Sequence, residues 1–310
     1  MSAAGEVVAE DLPDDASLRD LLGGRVDGYD PSADREALPR IRPILVALAA
    51  RAAGAERVDG EAMYAAELLH LALHLHDAAL GRRGGRRRWV ARKVVKRGVS
   101  WMGGNHLTLR ALELGREVRP EVLGEVMDTL RSFADGQDLL RALADGQRPS
   151  RDDWLEHADA HTGALFSFCC RTGAYLAGAE RPVLRALGRY GRHLGRVWHI
   201  AEDLSELTRE QAGSHLLARA VAARPVLMVI VAAEFDPTIA ERWAALVDAP
   251  DSEAAEALVP ALLATPAMSR CREVMLRESW SARQALEPLE QTRYRKALDR
   301  FAHGLVKSGN

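Results

Sequence analysis

The sequence predicts an all-helical protein, and three observations carry that prediction. Alanine, leucine and arginine dominate the composition while aromatic residues make up only 5% of 310 positions, a balance that favours helix over sheet. From Glu36 onward apolar residues recur with a helical period, and no linker, low-complexity tract or internal repeat divides the chain. In the stretch from Glu67 to Arg88, Glu67, His70, His74 and Asp77 follow one another at steps of three, four and three residues, so they share one helical face while leucines and alanines cover the rest. Polar groups on an otherwise buried helix need partners. An acid, two imidazoles and then a burst of arginine suit an anionic ligand, with a metal ion, held inside a helical bundle.

Composition limits the alternatives. With 47% hydrophobic residues the chain can bury a sizeable core as one domain. A formal net charge of -2 argues against a bulk nucleic-acid or membrane binder, so any basic surface is local. Of the three cysteines, Cys169 and Cys170 are adjacent and poorly placed to bridge each other. They read as reduced core residues, which suits a cytoplasmic setting.

The elements follow in order. Residues 1–34 are acidic and rich in small side chains, without the features of a signal peptide, and read as a flexible lead to a helical domain over 35–310. Leu38 to Pro43 leads into the apolar helix Ile44 to Ala50, and Arg40 and Arg42 stand two residues apart where both guanidinium groups could turn to a phosphate. Gly54 to Asp59 breaks the chain before the central helix. The basic run from Arg82 to Arg97 comes next, with only Trp89 interleaved, which poorly supports a nucleic-acid stacking platform. Helices are then expected over Val99–Arg116, Pro120–Asp145, Asp152–Ala179 and Pro182–Leu207, with shorter ones to the C-terminus. Ser150 and Asp153 resemble a capping box. Val226 to Ala233, the most apolar run, is far too short to span a bilayer and reads as a buried helix.

A second polar face lies near the end of the Pro182–Leu207 helix. His199, Glu202, Asp203 and Glu206 fall at offsets of three, four and seven, and grouped carboxylates of this kind bind Mg²⁺ with water and substrate phosphate completing the shell. A solvated acidic face is the alternative.

Together these stretches resemble the trans-isoprenyl diphosphate synthases, the polyprenyl synthetase family. Arg40-Ile41-Arg42-Pro43 is similar to the end of the family's G-G-K-R-x-R-P segment, and Glu67 to Asp77 to its E-x-I-H-x-x-S-L-I-H-D-D helix. Gly104-Asn105-His106-Leu107 stands where G-D-x-L is usual. His161-Thr162-Gly163-Ala164-Leu165-Phe166 follows K-T-G-A-L-F, and Trp198 to Glu206 follows F-Q-I-x-D-D-x-L-D. The resemblance implies an all-α bundle around a deep cavity, where two acidic motifs hold Mg²⁺ ions on an allylic diphosphate and an allylic cation forms as diphosphate departs. It further implies that Arg40 and His70 bind isopentenyl diphosphate with Arg42 buttressing that end of the substrate site, that Arg86 or Arg87 binds the allylic diphosphate and that Thr162 lies near it. His199 would stand in the place of a substrate-side glutamine. Asp77 would be what remains of the first metal motif, and Glu202, Asp203 and Glu206 the second. Association as a homodimer, or as a heterodimer with an intact prenyl synthase, is also implied.

The departures from the family pattern are specific. Where D-D-x-x-D is usual this chain has Asp77-Ala78-Ala79-Leu80-Gly81, which removes two of three carboxylates and argues against ordinary chain elongation. Three functions stay open: a divergent enzyme of prenyl transfer or related diphosphate chemistry, a non-catalytic partner of a heteromeric prenyl synthase, and a transition-metal oxidase using Glu67, His70, His74 and His199.

Overall fold

In the computed structural model, which describes residues 41–80, 90–144 and 148–308, every regular element is a helix. The acidic lead, Arg40, Arg86 and Arg87 lie outside the described residues. Helix α1 (Ile41–Ala52) is buried on nearly all sides, because ten of its twelve residues are apolar and enclosed. It ends before Gly54, whose φ of +101° needs a residue without a side chain. Helix α2 (Gly60–Leu80) carries the polar face of the central stretch, and its opposite side buries Ala62, Leu68, Leu69 and Ala72. Helix α3 (Val90–Val118) starts at Val90 rather than at the expected Val99. The straight-chain basic residues of that run are good helix formers, so the helix extends back through them. Helix α4 (Pro120–Ala144) begins on a proline, which suits a first helical turn.

Helix α5 (Arg151–Ala158) opens on a true capping box: Ser150 Oγ accepts the Asp153 N–H at 3.1 Å, and the Asp153 carboxylate accepts the Ser150 N–H at 2.7 Å. The chain then departs from the single helix expected over Asp152–Ala179. It widens into a π-helical turn at Asp159–Gly163 and resumes as α6 (Ala164–Leu176), which stops before Gly178 at φ +64°. Helix α7 (Arg181–Leu207) packs on α6, and the remaining helices are α8 (Ala212–Val221), α9 (Leu227–Ala233), α10 (Thr238–Asp248), α11 (Ser252–Leu263), α12 (Ala267–Ala285) and α13 (Arg293–Ser308). Helix α9 is buried, as its apolar run requires. Cys169, Cys170 and Cys271 are free thiols in the core. No helix among the described residues is long and apolar enough to cross a membrane.

Two features fix the π-turn against α7. Arg196 grips Asp159 with both arms, Nε to Oδ1 and Nη2 to Oδ2 at 2.7 Å each, and its Nη1 reaches Glu278 on α12 at 3.2 Å. At Gly195 the helices approach so closely that a Cβ would lie 2.5 Å from the Thr162 carbonyl oxygen. Gly195→Ala must therefore push the π-turn away from α7, and should destabilise the protein by about 1–3 kcal/mol through overpacking. Urea unfolding measures that loss, and an unchanged midpoint would show that the contact yields freely.

Candidate functional site

The two polar faces meet across one cavity of about 400 Å³. Helix α1 contributes Arg42, and α2 contributes His70, Leu73, His74 and Asp77. The α5 helix and the π-turn add His157, His161 and Thr162, and α7 adds Trp198, His199, Glu202 and Glu206. Helix α8 and the turn after it add His215, Ala218, Arg219 and Arg224, and Phe133 of α4 and Leu165 of α6 complete the lining. Apart from Arg40, Arg86 and Arg87, every expected site residue is thus on this cavity or, for Asp203, directly behind it. His76, which lies on another side of α2, turns instead to α3, where it meets Thr108 Oγ1 at 3.3 Å and the edge of Trp101.

Three of the four acids, Asp77, Asp203 and Glu206, have a basic partner, while Glu202 forms no ion pair among the described residues and Asp203 Oδ2 is buried without a hydrogen-bond partner. Arg219 Nη2 lies 2.7 Å from Asp203 Oδ1, and the carboxylate is only 3% exposed. His215 sits between them and Glu206: its Nε2 accepts the Arg219 Nε–H at 3.2 Å, and its Nδ1 contacts Glu206 Oε2. On the facing helix Asp77 is bonded by Arg224 Nη2. Burial works against ionisation of Asp203, but Arg219 and the neighbouring imidazoles overcome it and bring the carboxyl down to about 2. Glu202 moves the other way. Burial raises it above the usual carboxylate range, and Arg219 only partly offsets this. Arg42 is shifted down by burial, against the pull of Glu67 and Glu202, and its Nε–H has no protein acceptor.

The other side of the lining is imidazole. His157 and His161 stand one helical turn apart with ring centroids 4.4 Å from each other, and His199 lies 5.5 Å from His157. Burial brings His161 down to about 3 and His199 to about 4, and it also holds His157 and His70 well below the ordinary range. These rings are neutral at pH 7. Thr162 donates its hydroxyl to the Ala158 carbonyl at 3.2 Å, a local bond that holds its side chain on the π-turn. His74 is exposed, with its ring centroid 6.4 Å from that of His70.

The donor set can be tested against the Mg²⁺ that the family resemblance implies. Asp77 stands with Ala78, Ala79, Leu80 and Gly81 in place of further acids, and its carboxylate is occupied by Arg224. Asp203 is occupied by Arg219 and Glu206 by His215. Among the described residues no group of three or more His, Cys, Asp and Glu side chains is arranged to hold a metal ion. That leaves Glu202 and Asp203 Oδ2 as the oxygens no basic group engages, and with the first acidic motif reduced to a paired Asp77 the residues present do not fit the two facing metal sites that the resemblance implies. The sequence reading did not include Arg219, Arg224, His215 or His157 among the site residues. A signal existed, since His215 and Arg219 are four apart on one face of α8, and His157 and His161 are four apart across the π-turn.

Residues 39–257 match the family model described as polyprenyl synthetase. The chain is 28% identical to the nonaprenyl diphosphate synthase of Mycobacterium tuberculosis, over 84% of this chain and 79% of that protein. It is 30% identical to heptaprenyl diphosphate synthase component 2 of Geobacillus stearothermophilus, over 74% and 73% of the two chains. Its fold matches a polyprenyl synthase from Caulobacter crescentus, solved with calcium and isoprenyl diphosphate, with a TM-score of 0.76 at 23% identity, covering 98% of this chain and 93% of the other. An all-helical bundle whose α2 and α7 polar faces close on one cavity, with a family match over most of its length, leaves a single assignment: the chain belongs to the polyprenyl synthetase family.

Proposed function

We propose that this chain binds an isoprenoid diphosphate in the central cavity, and that its chemistry is prenyl transfer or a related reaction of that diphosphate in isoprenoid biosynthesis. The observation that carries this reading is the mixed lining of one cavity. Arg42, Arg219 and Arg224 supply guanidinium groups, while Leu73, Phe133, Leu165 and Trp198 supply apolar wall. An anion attached to a hydrocarbon tail matches both halves. The Caulobacter crescentus structure, solved with isoprenyl diphosphate, supports the ligand class.

Each part of the lining has a task in such a reaction. The guanidinium groups bind and orient the diphosphate and offset the charge that grows on it as the carbon–oxygen bond lengthens. The faces of Trp198 and Phe133 favour a cation over bulk water, and the apolar wall keeps water from it. Magnesium held by Asp77, Glu202, Asp203 and Glu206 would add charge neutralisation on the same diphosphate. Three of those acids, Asp77, Asp203 and Glu206, are engaged by Arg224, Arg219 and His215, so no step is routed through the metal.

A second reading rests on the same ion pairs and on the similarity to a protein described as component 2 of a heptaprenyl diphosphate synthase. In it the chain is a non-catalytic subunit that binds the isoprenoid and associates with an intact synthase. Incubating the purified protein with geranylgeranyl diphosphate and labelled isopentenyl diphosphate, alone and with an intact family synthase, separates the two. Labelled product from the chain alone supports the enzyme, and a product length that changes only in the mixture supports the subunit. No product alone and no effect on the synthase would contradict both.

A further inference from the structure

We infer that Arg219 and Arg224 are built-in counter-ions that take the place of divalent cations at the two acidic faces of the cavity, so that the cavity receives its diphosphate without a metal ion. The ligand half of this statement rests on the reading above; the counter-ion half stands on the ion pairs alone.

Arg219 lies 2.7 Å from Asp203, with the two side chains 11% and 3% exposed. Through its Nε–H to His215, whose other nitrogen meets Glu206, the same guanidinium spans the acidic motif of α7. Arg224 does for Asp77 on α2 what Arg219 does for Asp203 on α7. A divalent ion seated on Asp77, or bridging Asp203 Oδ1 and Glu206, would have to displace these groups to complete a near-octahedral oxygen shell.

The backbone shows that the placement of Arg224 is built in. Ala223, the residue before it, has φ +51°, the one left-handed conformation at a non-glycine position among the described residues. That geometry is disfavoured for a residue with a side chain and persists only where surroundings enforce it. Here it turns the chain after α8 and brings the Arg224 side chain to Asp77. Donors also remain for a ligand, since Nε of Arg42 and Nε of Arg224 are buried without protein acceptors.

Two measurements on the full chain test this. Calorimetric titration with geranylgeranyl diphosphate, in EDTA and again in Mg²⁺, should give dissociation constants within about threefold of each other. Binding seen only with Mg²⁺, or tightened by it about tenfold or more, overturns metal-independent recognition while leaving the proposed function intact. No binding under either condition removes the proposed diphosphate site. Mn²⁺ titration followed by electron paramagnetic resonance then judges the counter-ions separately. The wild-type cavity should hold no Mn²⁺, and Arg219→Ala should gain a bound ion that a further Asp203→Asn removes. Wild-type binding of Mn²⁺ that Asp203→Asn abolishes overturns the assignment, as does a folded Arg219→Ala protein that gains none. Should that variant not fold, the wild-type protein and its Asp203→Asn variant decide the matter.

Discussion

Replacing Arg219 with methionine is expected to cost the fold about 3–5 kcal/mol, because it strands the Asp203 carboxylate in a site that is 3% exposed. The guanidinium is the group chiefly responsible for keeping that carboxyl ionised against its own burial. Without it, Asp203 must either take a proton or remain charged beside Glu202 and Glu206, and both are unfavourable. His215 is left as the nearest compensating group, 3.7 Å from Asp203 and already engaged with Glu206. Chemical denaturation of Arg219→Met, Asp203→Asn and the double variant completes the test. The double variant should recover much of the loss, since removing both members of a buried pair leaves no orphaned charge. Purely additive effects would show that the two side chains do not act on each other. The loss for Arg219→Met should also shrink in Mn²⁺, if the metal can occupy the place the guanidinium vacates.

Acidification should produce the second large effect. His70, His157, His161 and His199 are held below their ordinary range by burial, with His199 near 4 and His161 near 3. Below pH 6.5 the unfolded chain binds protons at these four positions while the native protein refuses them. Stability therefore rises with pH in that window and is lost as pH falls, at about 1.4 kcal/mol per pH unit for each histidine fully engaged. Asp203 adds the same sign lower down, between its ordinary value and about 2. Since a domain of this kind has only about 5–15 kcal/mol to lose, unfolding should set in well above the range where carboxylates titrate. Urea denaturation at pH 7.5, 6.5 and 5.5 measures the slope, and His161→Gln should flatten it by about one proton. Equal stability across that range would mean the imidazoles gain protons without unfolding.

Much of this was legible in the sequence because it depends on local spacing. The helical face Glu67–His70–His74–Asp77 and the face His199–Glu202–Asp203–Glu206 are set by a period of 3.6 residues, and both appear where that period puts them, on α2 and α7. The Ser150–Asp153 cap and the buried run of α9 are likewise short-range features. What the sequence could not show was how the acids would be satisfied. Arg224 reaches Asp77 across 147 positions, by a turn at Ala223 that local propensity disfavours. The π-turn escaped for a similar reason: Asp159 to Gly163 reads as ordinary helix, and its widening accompanies the Arg196 grip and the close approach of Gly195 from another helix. Carboxylates in a row imply a metal only until the cations facing them are known.

The most direct measurement is a crystal structure of the protein with geranylgeranyl thiodiphosphate, an analogue that resists loss of its diphosphate. The expected result places the diphosphate on Arg42, Arg219 and Arg224, with the hydrocarbon running past Leu73 and Phe133. A cavity left empty at saturating ligand, or a ligand seated elsewhere on the molecule, would contradict the account.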